Sequence, residues 1–236
     1  MIHLSVNINK IATIRNARGG NLPDVTQFAI DCQKFGADGI TVHPRPDDRH
    51  ITLNDVHRIS GKITTEFNIE GYPDKRYMKM IKDIKPHQAT LVPDPPHVLT
   101  SNNGWAIKKN QESLLPIIEE LKRIGTRISL FVNADENSII EAAQIGADRI
   151  ELYTGPFAEE FGRNPNKAVK AYAEAAKKAG ELGLEVNAGH DLNLDNLSFF
   201  KDHVRPLSEV SIGHALISDA LYFGIEDAIK RYKSCL

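Results

Sequence analysis

Strict alternation of short strands with helix-period segments constrains this chain most, and a weak repeat marks its joins: GADGITV at residues 36–42 and GADRIEL at 146–152, each joining a helix end to a short apolar strand. The same join, an apolar residue and Gly before a strand, recurs at Phe35-Gly36, Ile124-Gly125, Ile145-Gly146 and Leu182-Gly183. Between these joins, short apolar or alternating runs take turns with helix-period segments along the whole chain. The first strand carries Leu4, Val6 and Ile8 on one side and Ser5, Asn7 and Asn9 on the other. Further strands are predicted at 39–43, 66–70, 88–92, 127–132, 149–155, 184–187 and 209–212. Helices are predicted from Pro23-Asp24 to Gly36, at 53–62, 74–84 and up to 125, then at 136–145 (capped by Asp135), at 165–182, and to Tyr232. Strict alternation of eight strand–helix units implies a parallel sheet closed into a single (β/α)8 TIM barrel over residues 1–236, with additional short helices. An open doubly wound sheet would need longer, more uniformly apolar strands and a glycine-rich first turn, which this chain lacks.

Composition narrows the partners. Hydrophobic residues make up 41% and charged residues 25%, enough for a sizeable core and a solvated surface. The net charge of −2 argues against a general nucleic-acid or membrane-surface partner, so any anion must be held by local clusters. Cys32 and Cys235 have neither metal spacing nor a disulfide framework. No leader precedes the first strand, and no apolar run approaches the ~18 residues of a membrane span. The expectation is a soluble protein of a reducing cytoplasm.

In such a barrel, catalytic groups gather at the C-terminal ends of the strands. Those positions hold Asn7, Asn9 and Lys10; His43 and Arg45; Glu70; Thr100; Glu151 and Thr154; Asn187 and His190; Gly213 and His214. Each has a bland alternative, such as Glu151 pairing with Arg149 or Gly189-His190 forming an ordinary turn. Their convergence on one mouth is what exceeds the needs of a core. The stretch after the first strand, with Lys10, Arg15 and Arg18 before Gly19-Gly20, reads as a cationic loop suited to an anion. Gly189 and Gly213 allow close backbone approach to a phosphate, and His214 opens the last helix, where the dipole favours an anion. Arg45 and His50 with the Thr100 hydroxyl form a second anion site. The segment 97–105, with Asn102-Asn103-Gly104, reads as a long mobile loop, and Thr100 to Trp105 as a lid over that second site. No HxH, HExxH or regularly spaced acidic cluster marks a metal, and no fingerprint marks a flavin or nicotinamide.

Taken in order, VNINKIATIRNARG, GADGITVHPRPDDRHI, FNIEGYP, RIELYTG, VNAGHDL and VSIGHALI resemble the pyridoxine 5′-phosphate synthase family over almost the full chain. The resemblance implies a barrel enzyme condensing 1-deoxy-D-xylulose 5-phosphate with 3-amino-2-oxopropyl phosphate to pyridoxine 5′-phosphate, phosphate and water. It implies no metal or organic cofactor, a cytoplasmic location and a homo-oligomer, an octamer. It puts general acid–base roles on His43, Glu70 and His190, and transition-state stabilisation on Glu151. Amino-ketone phosphate contacts fall on Asn7, Arg18, Gly213 and His214, and ketose phosphate contacts on Arg45, His50 and Thr100. Two positions depart from the commoner pattern. Asn9-Lys10 replaces Asp-His, and both residues are expected to meet substrate. Asp191 replaces Gly after His190, at a position counted among the substrate-binding residues, where a carboxylate would repel a phosphate unless it points away and caps a helix beginning near Leu194. Two other readings compete: an aldolase or epimerase using a Lys10 Schiff base, and a non-catalytic phosphate-binding barrel. The acid–base trio speaks against the second of these.

Overall fold

The computed structural model describes residues 1–93 and 103–236. Eight parallel strands close in sequence order into a barrel: β1 His3–Asn7, β2 Gly39–Val42, β3 Glu66–Gly71, β4 Gln88–Leu91, β5 Arg127–Val132, β6 Arg149–Tyr153, β7 Glu185–Gly189 and β8 Glu209–Ile212. The repeat now has a mechanical meaning. Gly36 and Gly146 take φ of +102° and +89°, left-handed values that stop the preceding helix and that glycine adopts most readily. The aspartate two residues later turns to the preceding strand: Asp38 accepts from Leu4 N at 2.8 Å, and Asp148 from Ile128 N at 2.9 Å. Each GAD unit therefore ends a helix and pins the base of one strand to its neighbour.

Period-two alternation sorts the strand side chains. Leu4, Val6, Ile40, Val42, Ile69, Leu91, Ile128, Leu130, Ile150, Leu152, Val186, Val210 and Ile212 are fully buried and belong to the core between sheet and helices. The other face of each strand lines the barrel interior, and that interior is polar. Ser5 bonds Thr41, Asn68 bonds Thr41 and Thr90, and Gln88 bonds Thr90 and Arg127. Deeper still, Arg149 reaches Glu66 at 3.6 Å, Glu185 at 2.5 Å and Glu209 at 3.2 Å. Arg149 and Glu151 do share the inward face, as regular alternation requires. Their pairing does not form, because three other carboxylates take the guanidinium.

The barrel helices start where side-chain oxygens can cap them. Asp24 caps α2 (Val25–Lys34), Thr52 and Asp55 form a capping box on α3 (Leu53–Ser60), Asp74 caps α4 (Lys75–Ile84), and Asp135 caps α6 (Glu136–Gln144). α5 is Ile107–Arg123 and α8 is Pro165–Glu181. Two expectations change, and the additional short helices are present. The cationic stretch after β1 is a helix, α1 (Asn9–Arg18), not a loop. Its first turn has neither an acid nor a side-chain cap, so local signals are missing; it is held by burying Ile11, Ala12 and Arg15. A short α7 (Gly155–Phe161) precedes α8, and α9 is Leu197–His203. The closing helix is broken at Gly224 into α10 (His214–Phe223) and α11 (Ile225–Ser234). No described helix is long and apolar enough to cross a membrane.

Candidate active site

Inward alternation on β3 and β6 points Glu70 and Glu151 into the upper barrel, only 2% and 1% exposed. With His190, just after β7, their ligand atoms lie within 4.8 Å of one another. Neither Glu151 oxygen, nor Glu70 Oε1, has a hydrogen-bond partner among the described residues. Burial penalises a charge that nothing compensates, and it pushes the Glu70 carboxyl up to about 8, against a smaller opposing pull from Arg45. Glu151 is driven well above the usual carboxylate range by burial, then by Glu70 and Glu209. Burial therefore biases both carboxyls toward the protonated form.

His43 follows β2, with Nδ1 3.7 Å from Glu70 Oε2. Burial first, then the charge of Arg45 and neighbouring imidazoles, lowers its pKa well below the ordinary value. Burial disfavours the charged form of both partners, which weakens the contact as an ion pair. Asn7 Nδ2 donates to the same Glu70 oxygen at 3.5 Å. Asn9 Oδ1 accepts from His43 N at 2.9 Å, and Asn9 N donates to Asn7 Oδ1 at 3.1 Å. Asn9 thus carries the backbone that presents His43.

His190 sits at φ +81°, a left-handed conformation costly for a residue with a Cβ. The surroundings hold it there. Thr154 Oγ1 donates to Gly189 O and accepts from Asp191 N at 3.2 Å, and the His190 ring lies 5.2 Å from the Phe131 ring. At Gly189 a Cβ would come within 2.8 Å of Glu151 Oε1 and of Ser211 O, so glycine is what lets β7 pass the carboxyl. Asp191 is exposed, and the expected cap is not its work. Asn193 Oδ1 accepts from Asp195 N and Asn196 N, and α9 starts only at Leu197.

The cations divide. Arg45 is 5% exposed, and its charge acts on His43, Glu70 and His50 alike. Lys10, exposed in the first turn of α1, acts on His50, as does Arg49, which pairs with Asp47. Arg15 is spent on Asp55, at 2.5 and 2.8 Å. Arg18 is exposed in the last turn of α1. Gly213 lies against Asn7, whose Cβ and Cγ would be 3.1 and 3.2 Å from any added Cβ, and His214 begins α10 with its side chain exposed. Thr100 lies outside the described residues. Of the expected lid, 100–102 lie outside the described residues, and at its described end Trp105 is anchored: its indole donates to Leu91 O at 2.9 Å, it stacks on Tyr72, and Gly104 N is held by Asn133.

The sequence reading missed Thr154 as a brace for His190, the Phe131 contact and the Arg15–Asp55 pair. The first left a trace in Tyr153-Thr154-Gly155; the others needed the fold. It also missed that Glu70, Glu151 and His190, distant in sequence, form a set that could ligate a metal ion. Two of the three are carboxyls whose charged form burial disfavours. Two acids, a neutral imidazole and His190 around one space, with cations at the rim, can move protons on an anionic substrate.

The family model for "Pyridoxal phosphate biosynthesis protein PdxJ" matches residues 4–236. Proteins named pyridoxine 5′-phosphate synthase match along the full chain: one from Porphyromonas gingivalis at 54% identity, covering 99% of that protein, and one from Bacteroides fragilis at 55%, covering all of it. Among solved structures, phosphoribosylanthranilate isomerase from Thermotoga maritima superposes with a TM-score of 0.59 at 15% identity, covering 100% of this chain and 98% of that one. Tryptophan synthase from M. tuberculosis gives 0.65 at 9%, covering 99% and 93%. At such identities these two speak for the barrel fold alone.

Proposed function

This chain belongs to the pyridoxal phosphate biosynthesis protein PdxJ family and is an enzyme of vitamin B6 biosynthesis that forms pyridoxine 5′-phosphate; on that premise we propose how its residues share the work. The substrates are 1-deoxy-D-xylulose 5-phosphate and 3-amino-2-oxopropyl phosphate. Joining amine to ketone, expelling water and phosphate, and closing the ring is a series of proton transfers. Glu70 donates a proton as a buried acid, His43 accepts one as a neutral imidazole, and His190 works from the opposite side of the space. Glu151 stabilises charge as it develops beside Glu70. The ketose phosphate meets Arg45, His50, Lys10 and Thr100. The amino-ketone phosphate meets Asn7, Arg18, Gly213 and His214, with Asn9 and Asp191 bordering the two. What carries this reading is the meeting of buried Glu70 and Glu151 with half-buried His190, within 4.8 Å of one another, where three of the four carboxyl oxygens have no hydrogen-bond partner among the described residues.

The protein works in the cytoplasm, as a homo-oligomer of eight copies. Support for an oligomer comes from Leu22, Leu221 and Tyr222, apolar side chains 82%, 74% and 87% exposed. Incubation with both phosphorylated substrates should release free phosphate and build the absorbance of a pyridine ring, while neither substrate alone turns over. Phosphate release from the ketose phosphate alone, at the same rate, would sink the two-substrate reading.

Lys10 serves as a rim cation. An amine nucleophile gains from burial that suppresses its charge, and Lys10 is exposed. The second substrate also brings its own amine. Borohydride added with the ketose phosphate should leave Lys10 unmodified by mass spectrometry. Lys10→Arg should keep measurable activity, and Lys10→Met should mainly raise the KM for the ketose phosphate. A reduced adduct on Lys10 would put the aldolase chemistry first.

A further inference from the structure

We propose that Arg15 is a positioning residue for the ketose phosphate, holding the loop of His50 so that its imidazole presents one fixed N–H to the substrate. The proposal rests on the reading above that His50 meets this substrate, and extends it to a residue buried behind the site.

The loop from 48 to 52 is held from α1 and from the start of α3. Arg15 Nη1 and Nη2 form a two-pronged pair with Asp55, at 2.5 and 2.8 Å, and Nη2 also donates to His50 O at 3.3 Å. Asn16 Nδ2, the neighbour of Arg15, donates to His50 O at 2.9 Å and to Asp48 O at 3.2 Å. Asn16 is itself steered, because its Oδ1 accepts from Arg15 Nε at 3.0 Å. Asp55 completes the frame by accepting Thr52 N at 2.9 Å and Thr52 Oγ1 at 2.8 Å. One guanidinium thus ties α1, the His50 carbonyl and the cap of α3 together, using the planar fork that lysine lacks.

The ring state follows from the same loop. Ile51 N donates to His50 Nδ1 at 3.0 Å, so Nδ1 is the accepting nitrogen and the proton sits on Nε2. The groups facing it, Arg45, Lys10 and Arg49, with Asp47 opposing and the His43 ring 6.2 Å away, sum to positive surroundings. Together with burial they hold the imidazole neutral, its pKa lowered to about 4. A neutral donor adds direction rather than charge, and its value depends on where the backbone puts it. Displacement of such a group by about 1 Å is enough to lose most of its worth.

A buried Arg–Asp pair can also be purely structural, and kinetics separate the two roles. Arg15→Met should raise the KM for the ketose phosphate about tenfold, with kcat changed less than about twofold and the KM for the amino-ketone phosphate unmoved. Arg15→Lys should recover part of the loss. On a His50→Ala background, Arg15→Met should add less than about twofold, because both changes remove the same contact. Nitrogen-resolved NMR of the imidazole should show the single Nε2–H form in the native protein and in Arg15→Lys, and an averaged ring in Arg15→Met. A full additional loss on the His50→Ala background, both KM values and kcat shifting together, or an unchanged ring signature in Arg15→Met overturns the proposal. If His50→Ala itself leaves the ketose phosphate KM unchanged, the substrate assignment of His50 falls, and the proposal falls with it. Should Arg15→Met fail to fold, Arg15→Lys still decides: native KM values with an averaged ring would refute the link between loop and substrate.

Discussion

Replacing His190 with alanine should lower kcat by about two to four decades, the usual worth of a general acid or base, while both phosphorylated substrates still bind. The anion contacts are assigned to Arg45, His50, Arg18, Gly213 and His214, so little affinity should go with the ring. The backbone sharpens this expectation. At φ +81° a side chain is held against its preference, so His190→Gly should lose the rate equally and melt no lower than the native protein. Steady-state kinetics with thermal melts of both variants test the point. Collapsed affinity with the saturated rate intact would make His190 a ligand contact instead.

Glu70→Gln should show the second large effect, on rate and on stability at once. The amide keeps the shape but cannot give up a proton, so kcat should fall by at least about two decades. Stability should move in the other direction, and with pH. The folded carboxyl titrates at about 8 against an ordinary 4.5, so the folded chain holds a proton that the unfolded chain has released. The stability contributed by the protonated acid is fully present below about pH 4.5 and is lost as pH rises through 8. Relative to the native enzyme, Glu70→Gln should therefore gain little at pH 4 and on the order of a few kcal/mol at pH 9. Denaturant melts at both pH values measure this directly. A gain independent of pH would mean that Glu70 is ionised in the folded protein, and the acid role would pass to another group. Glu151 is shifted in the same direction by burial, which makes the upper barrel a place where stability is given up for proton storage.

Much of this was legible in the residues. The strand positions, the alternating faces and the glycine that closes each helix before a strand follow from local rules, whereas the aspartates Asp38 and Asp148 that reach one strand back appeared only in the fold. Because a barrel has one mouth, knowing the strand ends also named His43, Glu70, Glu151 and His190 as neighbours. Those inferences need only chain order and backbone geometry, and the sequence by itself determined them. The tertiary structure alone decided what the groups become once they meet. α1 has no cap or first-turn acid, and it is a helix because Ile11, Ala12 and Arg15 are buried by other elements. Arg15 looked like a ligand cation until Asp55, from another helix, claimed it. Arg149 and Glu151 face the same way, yet the arginine is taken by glutamates from β3, β7 and β8. The protonation of Glu70 and Glu151 depends on removal from water and on distances across the barrel, quantities set by strands that share no local sequence. Charge and burial act through space, so only the closed barrel could fix them.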